Sequence, residues 1–217
     1  LSGTAPFVLD AEGADGQLIS VGRDTLVLVE SGARGLTHTE LATIDRSRAL
    51  LELDFDDTPV RVVKLAPDTL ARTLAAGRVA LAADSLGAGQ RMLERAVDYA
   101  LERRQFGRVI GSFQAVKHLC AEMATELEPA RSLVWYAAYA ADAFPEEFEL
   151  MACHAKAHLG EVGQFVARTS TEVHGGMGFT HEMGLHYLFK RIGLNRQLLG
   201  NPDRVRRDAA ALKGWAA

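Results

Sequence analysis

Positive charge, cysteine and long apolar runs are all scarce in this sequence. Its 217 residues carry 24 Lys plus Arg against 28 Asp plus Glu, a formal charge of −4, so there is no basic excess to attract nucleic acid or an anionic membrane. Cys120 and Cys153 are the only cysteines, both inside apolar helical patterns. That count excludes a disulfide scaffold and any zinc-type spacing, and predicts reduced, buried thiols in a cytoplasmic protein. No apolar stretch approaches the roughly 18 residues of a membrane span, and no charged-then-apolar leader opens the chain. A soluble polypeptide without membrane insertion is expected. Internal repeats, low-complexity tracts and Gly/Ser linkers are missing too. The chain opens at Leu1 within what reads as a sheet, which predicts that part of a larger fold lies elsewhere.

What is present falls into two blocks. From Leu1 to about Leu65, short apolar runs ("PFVLD", "QLIS", "TLVLVE", "LLELDF", "VRVV") alternate with Gly- and Asp-bearing turns, the pattern of β-strands. After Pro67 the composition shifts to Ala, Leu, Glu and Arg, and Val79, Leu86, Leu93, Val97 and Leu101 recur at helical spacing. The first long helix is predicted over about Thr69 to Arg104, stopping at the "FGR" turn at Gly107. A second runs from about Ser112, its N-cap, to Asp142, with a bend at Pro129. Pro145 with Glu146 and Glu147 opens a third that reaches "HGGMGF". A fourth covers Leu185 to Leu199, and a short fifth follows Pro202. Helices of this length, ~45 Å each, favour an antiparallel bundle. The reading is α+β: a short β-sheet remnant over residues 1–65, then an antiparallel α-helical bundle over residues 66–217.

Several chemistries lack their residues. His154 and His158 lie four apart but have no adjacent Glu and no third ligand in view, so no metal site is expected. Ser132 and Ser170 have no matching His and acid. The glycines at 175 and 176 follow a helix, not a strand, so they are no dinucleotide fingerprint. His174, His181 and His186 cluster near them, with His174 a structural or cofactor-side histidine.

The segment "YALERRQFGRVIGSFQAVKH", Tyr99 to His118, resembles the most recognisable motif of the acyl-CoA dehydrogenases, and "STEVHGGMGFTHEMGLHYLFKR", Ser170 to Arg191, resembles the same family's helix-to-turn segment. A third, shorter likeness is "SGTAPFVLD", similar to the strand beside the flavin ring. The resemblance runs from Ser2 to about Arg207 and covers only the later half of a complete member. It implies FAD as cofactor, with Arg103 and Gln114 reaching the FAD of a neighbouring subunit and Gln105 and Phe106 as further cofactor-binding residues. Gly175 and Gly176 would give the backbone close approach to its phosphate and ribose, and Phe7 would lie against the ring. A guanidinium offers forked donors to a pyrophosphate, which gives Arg103 a physical reason. Two positions depart from the family: Glu172 stands where a Gln is usual, and Leu9 where a Thr bonds the flavin.

The family's reaction, α,β-dehydrogenation of an acyl-CoA thioester, needs a carboxylate over the α carbon. The resemblance places that base at Leu199, or in a minority of members at Gly77 just before Arg78, and neither residue accepts a proton. The catalytic residue is therefore unknown. Asp84, two turns beyond Gly77, is the best substitute carboxylate; Asp203 suits the start of the last helix. Three readings follow. The first is a subunit without its own Glu that completes the FAD site of a homologous dehydrogenase subunit. The second is a homo-oligomeric enzyme using Asp84, and the third a non-catalytic helical interaction module. Acyl-CoA as substrate and an electron-transfer flavoprotein-type acceptor go with the first two. "GFTHEMGLHYLFKRI" and the Leu-Leu-Gly ending resemble paired subunits of actinobacterial lipid and sterol breakdown. Trp135, Tyr136 and Tyr139 suit helix packing or an oligomer seam.

Overall fold

The computed structural model describes residues 1–22 and 25–215, and the chain divides into two compact units, Leu1–Leu70 and Ala71–Ala217. Alternating apolar residues make the first unit. Its strands are β1 (Gly3–Leu9), β2 (Gly16–Val21), β3 (Thr25–Glu30), β4 (Leu36–Glu40), β5 (Leu50–Phe55) and β6 (Arg61–Val63). They form two antiparallel three-stranded sheets, ordered β1-β5-β4 and β2-β3-β6. Leu51, Leu53 and Phe55 of one sheet and Val27 and Val29 of the other share a single core, as the period-2 pattern requires when two inner faces meet. Strand β4 has no counterpart among the predicted runs. Its sequence, "LTHTE", has one apolar residue, and as an edge strand it leaves Thr37 to Glu40 in solvent. In β1 the register slips between Ala5 and Val8, and Phe7 sits in this bulge with a positive φ of 60°.

The second unit is helical. Helix α1 (Thr69–Glu102) leads into a tight hairpin of β7 (Arg104–Gln105) and β8 (Arg108–Val109), then a 3-10 turn over Ile110–Ser112. Helices α2 (Gln114–Ala143) and α3 (Pro145–His174) follow, separated by Phe144 alone. A 3-10 turn over Gly175–Phe179 precedes α4 (Leu185–Gln197) and α5 (Pro202–Leu212). The core draws on α1 to α4, and α3 is packed from several sides, with α2, α4 and α5 as neighbours. The α+β class and the helix-bundle architecture read from the sequence are those observed, and α2 continues through Pro129. No helix among the described residues is long and apolar enough to cross a membrane.

Two local expectations are corrected. The buried stripe of α1 runs through Ala75, Val79, Ala82, Leu86, Gly89, Met92, Ala96 and Ala100, while Val97 and Leu101 face out. Alanine carries that stripe because small side chains let long helices approach closely, and a search for large apolar residues passes over it. Ser112 does not cap α2, since its Oγ donates to the Val109 carbonyl at 2.7 Å and Phe113 occupies the N-cap. The start of α5 is capped by Asn201, whose Oδ1 accepts from Arg204 N at 2.9 Å, and Asp203 adds only charge to the first turn.

Candidate functional site

One groove of about 450 Å³ brings together the end of α1 and the end of α3; Tyr99, Arg103, Gln105, Glu172, His174, Gly175 and Gly176 line it. Its first wall exists because α1 stops abruptly. Arg103 N still donates to Tyr99 O at 2.8 Å, but Ile110 N returns to Arg103 O at 2.8 Å and closes the hairpin. The two turn residues, Phe106 (φ 53°) and Gly107 (φ 80°), are both left-handed, the geometry of a two-residue hairpin turn. Glycine adopts it freely, whereas phenylalanine pays ~1–2 kcal/mol. Phe106 is also 91% exposed, its ring meeting Phe113 edge-on at 6.0 Å. The Arg103 guanidinium is exposed and makes no ion pair among the described residues.

The second wall is the exit of α3. Gly175 takes φ 58°, ψ −139° as its cap, a conformation open to glycine and strained for other residues. Gly178 is fixed from within, because a Cβ there would lie 2.6 Å from Thr171 O. A Cβ on Gly175 or Gly176 meets nothing within 4 Å. The bare backbone at these two positions thus faces open space along the groove, a cradle that side chains would fill. His174 is 2% exposed. Its Nδ1 lies 2.7 Å from Ser170 O, its ring stacks on Tyr99 with centroids 4.6 Å apart, and its Nε2 is buried with no hydrogen-bond partner among the described residues. Burial, with the nearby Arg95 charge assisting against the Ser170 hydrogen bond, holds its pKa below the ordinary histidine value.

The predicted residues are not all in this groove. Arg103, Gln105, Gly175 and Gly176 line it; Phe106 and Gln114 are outside the lining, one at the hairpin tip and the other exposed at the first position of α2. Phe7 belongs to the first unit, 66% exposed on its bulge. Tyr99 was not among the predicted residues, although its place one turn before Arg103 on the same helix face is a signal the sequence contains.

A second cluster surrounds Leu199 and Gly77, the two positions at which the sequence resemblance puts a base. A Cβ on Gly77 would stand 2.6 Å from Leu199 Cδ1, so the two positions, distant in sequence, abut in space and are filled by an aliphatic group. Leu199 has a left-handed φ of 55°, and cations from two helices hold its loop. Arg78 Nε donates to Leu199 O at 3.1 Å while its NH2 pairs with Asp208 and its NH1 reaches Cys153 Sγ. Lys156, 2% exposed, donates to Arg196 O at 3.2 Å and Gly200 O at 2.9 Å, binding carbonyls at and just beyond the negative end of α4. Burial, then the charges of Arg78 and Arg196, push its pKa down to about 8. Asp84 lies elsewhere in the same unit and is already engaged. Arg191 grips both of its oxygens at 2.9–3.0 Å and Asn195 donates to Oδ2 at 2.6 Å. A carboxylate saturated by a forked guanidinium and an amide is an ion-pair partner, not a free base. Among the described residues no group of three His, Cys, Asp or Glu side chains is placed to hold a metal.

Comparison with known proteins decides the lineage. The family model described as "Acyl-CoA dehydrogenase, C-terminal domain" matches residues 68–212. The chain belongs to the acyl-CoA dehydrogenase family. It is 36% identical over 167 residues to the acyl-CoA dehydrogenase IpdE2 of Mycobacterium tuberculosis, covering 77% of this chain and 49% of that protein. It is 33% identical to the acyl-CoA dehydrogenase FadE34 of the same organism, over 97% of this chain and 29% of that one. Among solved structures, the Tcur3481-Tcur3483 steroid acyl-CoA dehydrogenase variant superposes with a TM-score of 0.90 at 32% identity, covering 98% of this chain and 59% of that chain. The chain thus spans about half the length of IpdE2 and less than a third of FadE34. Members of this family are FAD flavoproteins, and the residues of the α1–α3 groove suit such a cofactor: a free guanidinium for phosphate and an uncovered Gly-Gly backbone beside it.

Proposed function

We propose that this chain is the C-terminal part of a cytoplasmic acyl-CoA dehydrogenase subunit that carries no catalytic base and lends its α1–α3 groove to FAD bound chiefly by a homologous partner chain. The observation that carries the proposal is the Leu199–Gly77 contact: the space where either family position would present a carboxylate holds a methyl group. FAD, when bound, supplies the hydride acceptor for α,β-dehydrogenation of an acyl-CoA thioester. Arg103 binds phosphate, Gln105 adds an amide, and Gly175 and Gly176 admit the nucleotide against bare backbone. Phe106, strained and exposed at the hairpin tip, and Gln114 at the start of α2 reach toward the partner's half of the cofactor. Phe7, exposed in the first unit, would offer an aromatic face to a flavin ring. Arg78 and Lys156 keep the Leu199 loop in place, so the apolar plug is a built feature of the fold.

The paired naming of the Tcur3481-Tcur3483 steroid enzyme supports a heteromeric assembly, and its steroid designation supports a sterol-derived or other bulky acyl-CoA substrate. An electron-transfer flavoprotein-type protein would reoxidise the flavin. The Asp84 alternative loses ground to the Arg191 and Asn195 contacts that occupy that carboxylate. The test is flavin content. Expressed alone, the chain is expected colourless; expressed with a Glu-bearing homologous subunit, it is expected to co-purify yellow, and Arg103→Ala should lower the bound flavin. A yellow protein from this chain alone that acyl-CoA bleaches would overturn the proposal.

A further inference from the structure

Three side chains of α1 reach across to α4 and its flanks, each at a different height. Arg95 NH1 donates to Met183 O at 2.9 Å, just before α4 begins, and Arg78 Nε donates to Leu199 O at 3.1 Å, just after it ends. Both of these rungs end on backbone carbonyls, which every residue presents. The middle rung is different, because Asp84 meets side chains. Its Oδ1 accepts from Arg191 Nε at 3.0 Å and from NH2 at 2.9 Å, and its Oδ2 accepts from Asn195 Nδ2 at 2.6 Å. The Asn195 amide, 1% exposed, also donates to Ser85 Oγ at 3.2 Å. Arg191 and Asn195 are four residues apart and so share one face of α4. A forked guanidinium and an amide on one carboxylate admit a narrow range of geometries, so this rung fixes the rotation and the height of α4 against α1.

That setting is carried to the loop beyond. Leu198 N donates to Leu194 O at 3.1 Å and Gly200 N to Gln197 O at 3.3 Å, so the turn bearing Leu199 is hydrogen-bonded back onto α4 and moves with it. Asp84 and Gly77 lie two turns apart on α1, about 10 Å at 1.5 Å per residue, while Asn195 lies one turn before Leu199. The Asp84 contacts and the Leu199–Gly77 contact are thus two points on one antiparallel seam. Resting on the reading of Leu199 as a plug at the base position, we propose that Asp84, Arg191 and Asn195 are positioning residues, a side-chain clasp that turns α4 so that Leu199 lies against Gly77. The carboxylate two turns from the base position takes no proton; it keeps the apolar plug seated.

The test is disulfide trapping in the assembled, full-length protein carrying Gly77→Cys and Leu199→Cys, with the bond located by peptide mass mapping and rates read well below each variant's melting temperature. Removing the leucine methyls leaves room for the new sulfur, and the pair is expected to close under a mild oxidant. Adding Asp84→Asn, which keeps the side chain's shape and removes its charge, should slow closure by roughly 5- to 10-fold. Glu161→Gln, which breaks a pairing of α3 with α4 through Arg196, should leave the rate unchanged. Closure unmoved by Asp84→Asn, or slowed equally by Glu161→Gln, overturns the clasp and leaves the plug intact. No closure with Asp84 in place overturns the plug and the clasp together.

Discussion

At the scale of single residues, the proposed function turns on Leu199 and Gly77, and their meeting gives a direct test. Leu199→Glu replaces a 43% exposed leucine with a carboxylate on a loop already pinned by Arg78 and Lys156. In the assembled protein it is expected to create exchange of the acyl-CoA α-proton with deuterated solvent at this chain's site; no added exchange would contradict the placement. Asp84 predicts the reverse kind of effect. Asp84→Asn breaks its charge pairing with Arg191 and should cost ~1–3 kcal/mol of stability, lowering the melting temperature without removing a base. Lys156 carries the pH dependence. Its folded pKa, about 8, lies below its ordinary 10.5, so between those values the unfolded chain binds more protons and stability must rise with pH. Relative to Lys156→Met, in which other titrations cancel, the wild type should gain ~1–3 kcal/mol in denaturant unfolding between pH 7 and pH 10. A constant gap would show that Lys156 does not titrate as its burial demands. None of these contacts was legible in the sequence. The Leu199–Gly77 contact joins the loop after α4 to α1, and Lys156, set between alanines in "HAKAH", looks like a solvated charge until the α3 stripe through Ala152, Ala155 and Leu159 buries it.

Secondary-structure elements were far more legible, and their exceptions have physical causes. Helix lengths followed from 3.6-residue periodicity and from Pro145 and Pro202 at their first positions. The face of α1 was misread beyond Leu93 because alanines, not the valine and leucine beside them, line the core. Strand β4 escaped because an edge strand needs few apolar residues. The turn after α3 yields a contrast that separates backbone strain from ligand clearance. Gly175→Ala, at φ 58°, should destabilise by ~1–2 kcal/mol. Gly176→Ala, with open space around its Cβ, should leave unfolding nearly unchanged while weakening flavin retention. Equal melting losses in both variants would mean that the glycines serve the chain's own fold. The motif carrying Arg103, Gln105, Gly175 and Gly176 was readable as a family resemblance, yet their convergence on one groove depends on α1 and α3 ending side by side.

At the scale of the whole molecule, the helical unit and the β unit each hold a core of their own, and the chain corresponds to about half of IpdE2. On the proposed reading, a groove with uncovered glycines at the end of α1 and a leucine against Gly77 near its start make a cofactor-supporting subunit. The proposed function implies an asymmetry of chemistry between two homologous chains. The measurement that tests it is anaerobic flavin reduction by acyl-CoA in the co-expressed assembly whose partner subunit has its base glutamate changed to glutamine. With this chain wild type, no bleaching of the flavin is expected, because neither Leu199 nor Gly77 can take the proton. Bleaching at the rate of the unmodified assembly, with only this chain's own residues left to take the proton, would contradict the account.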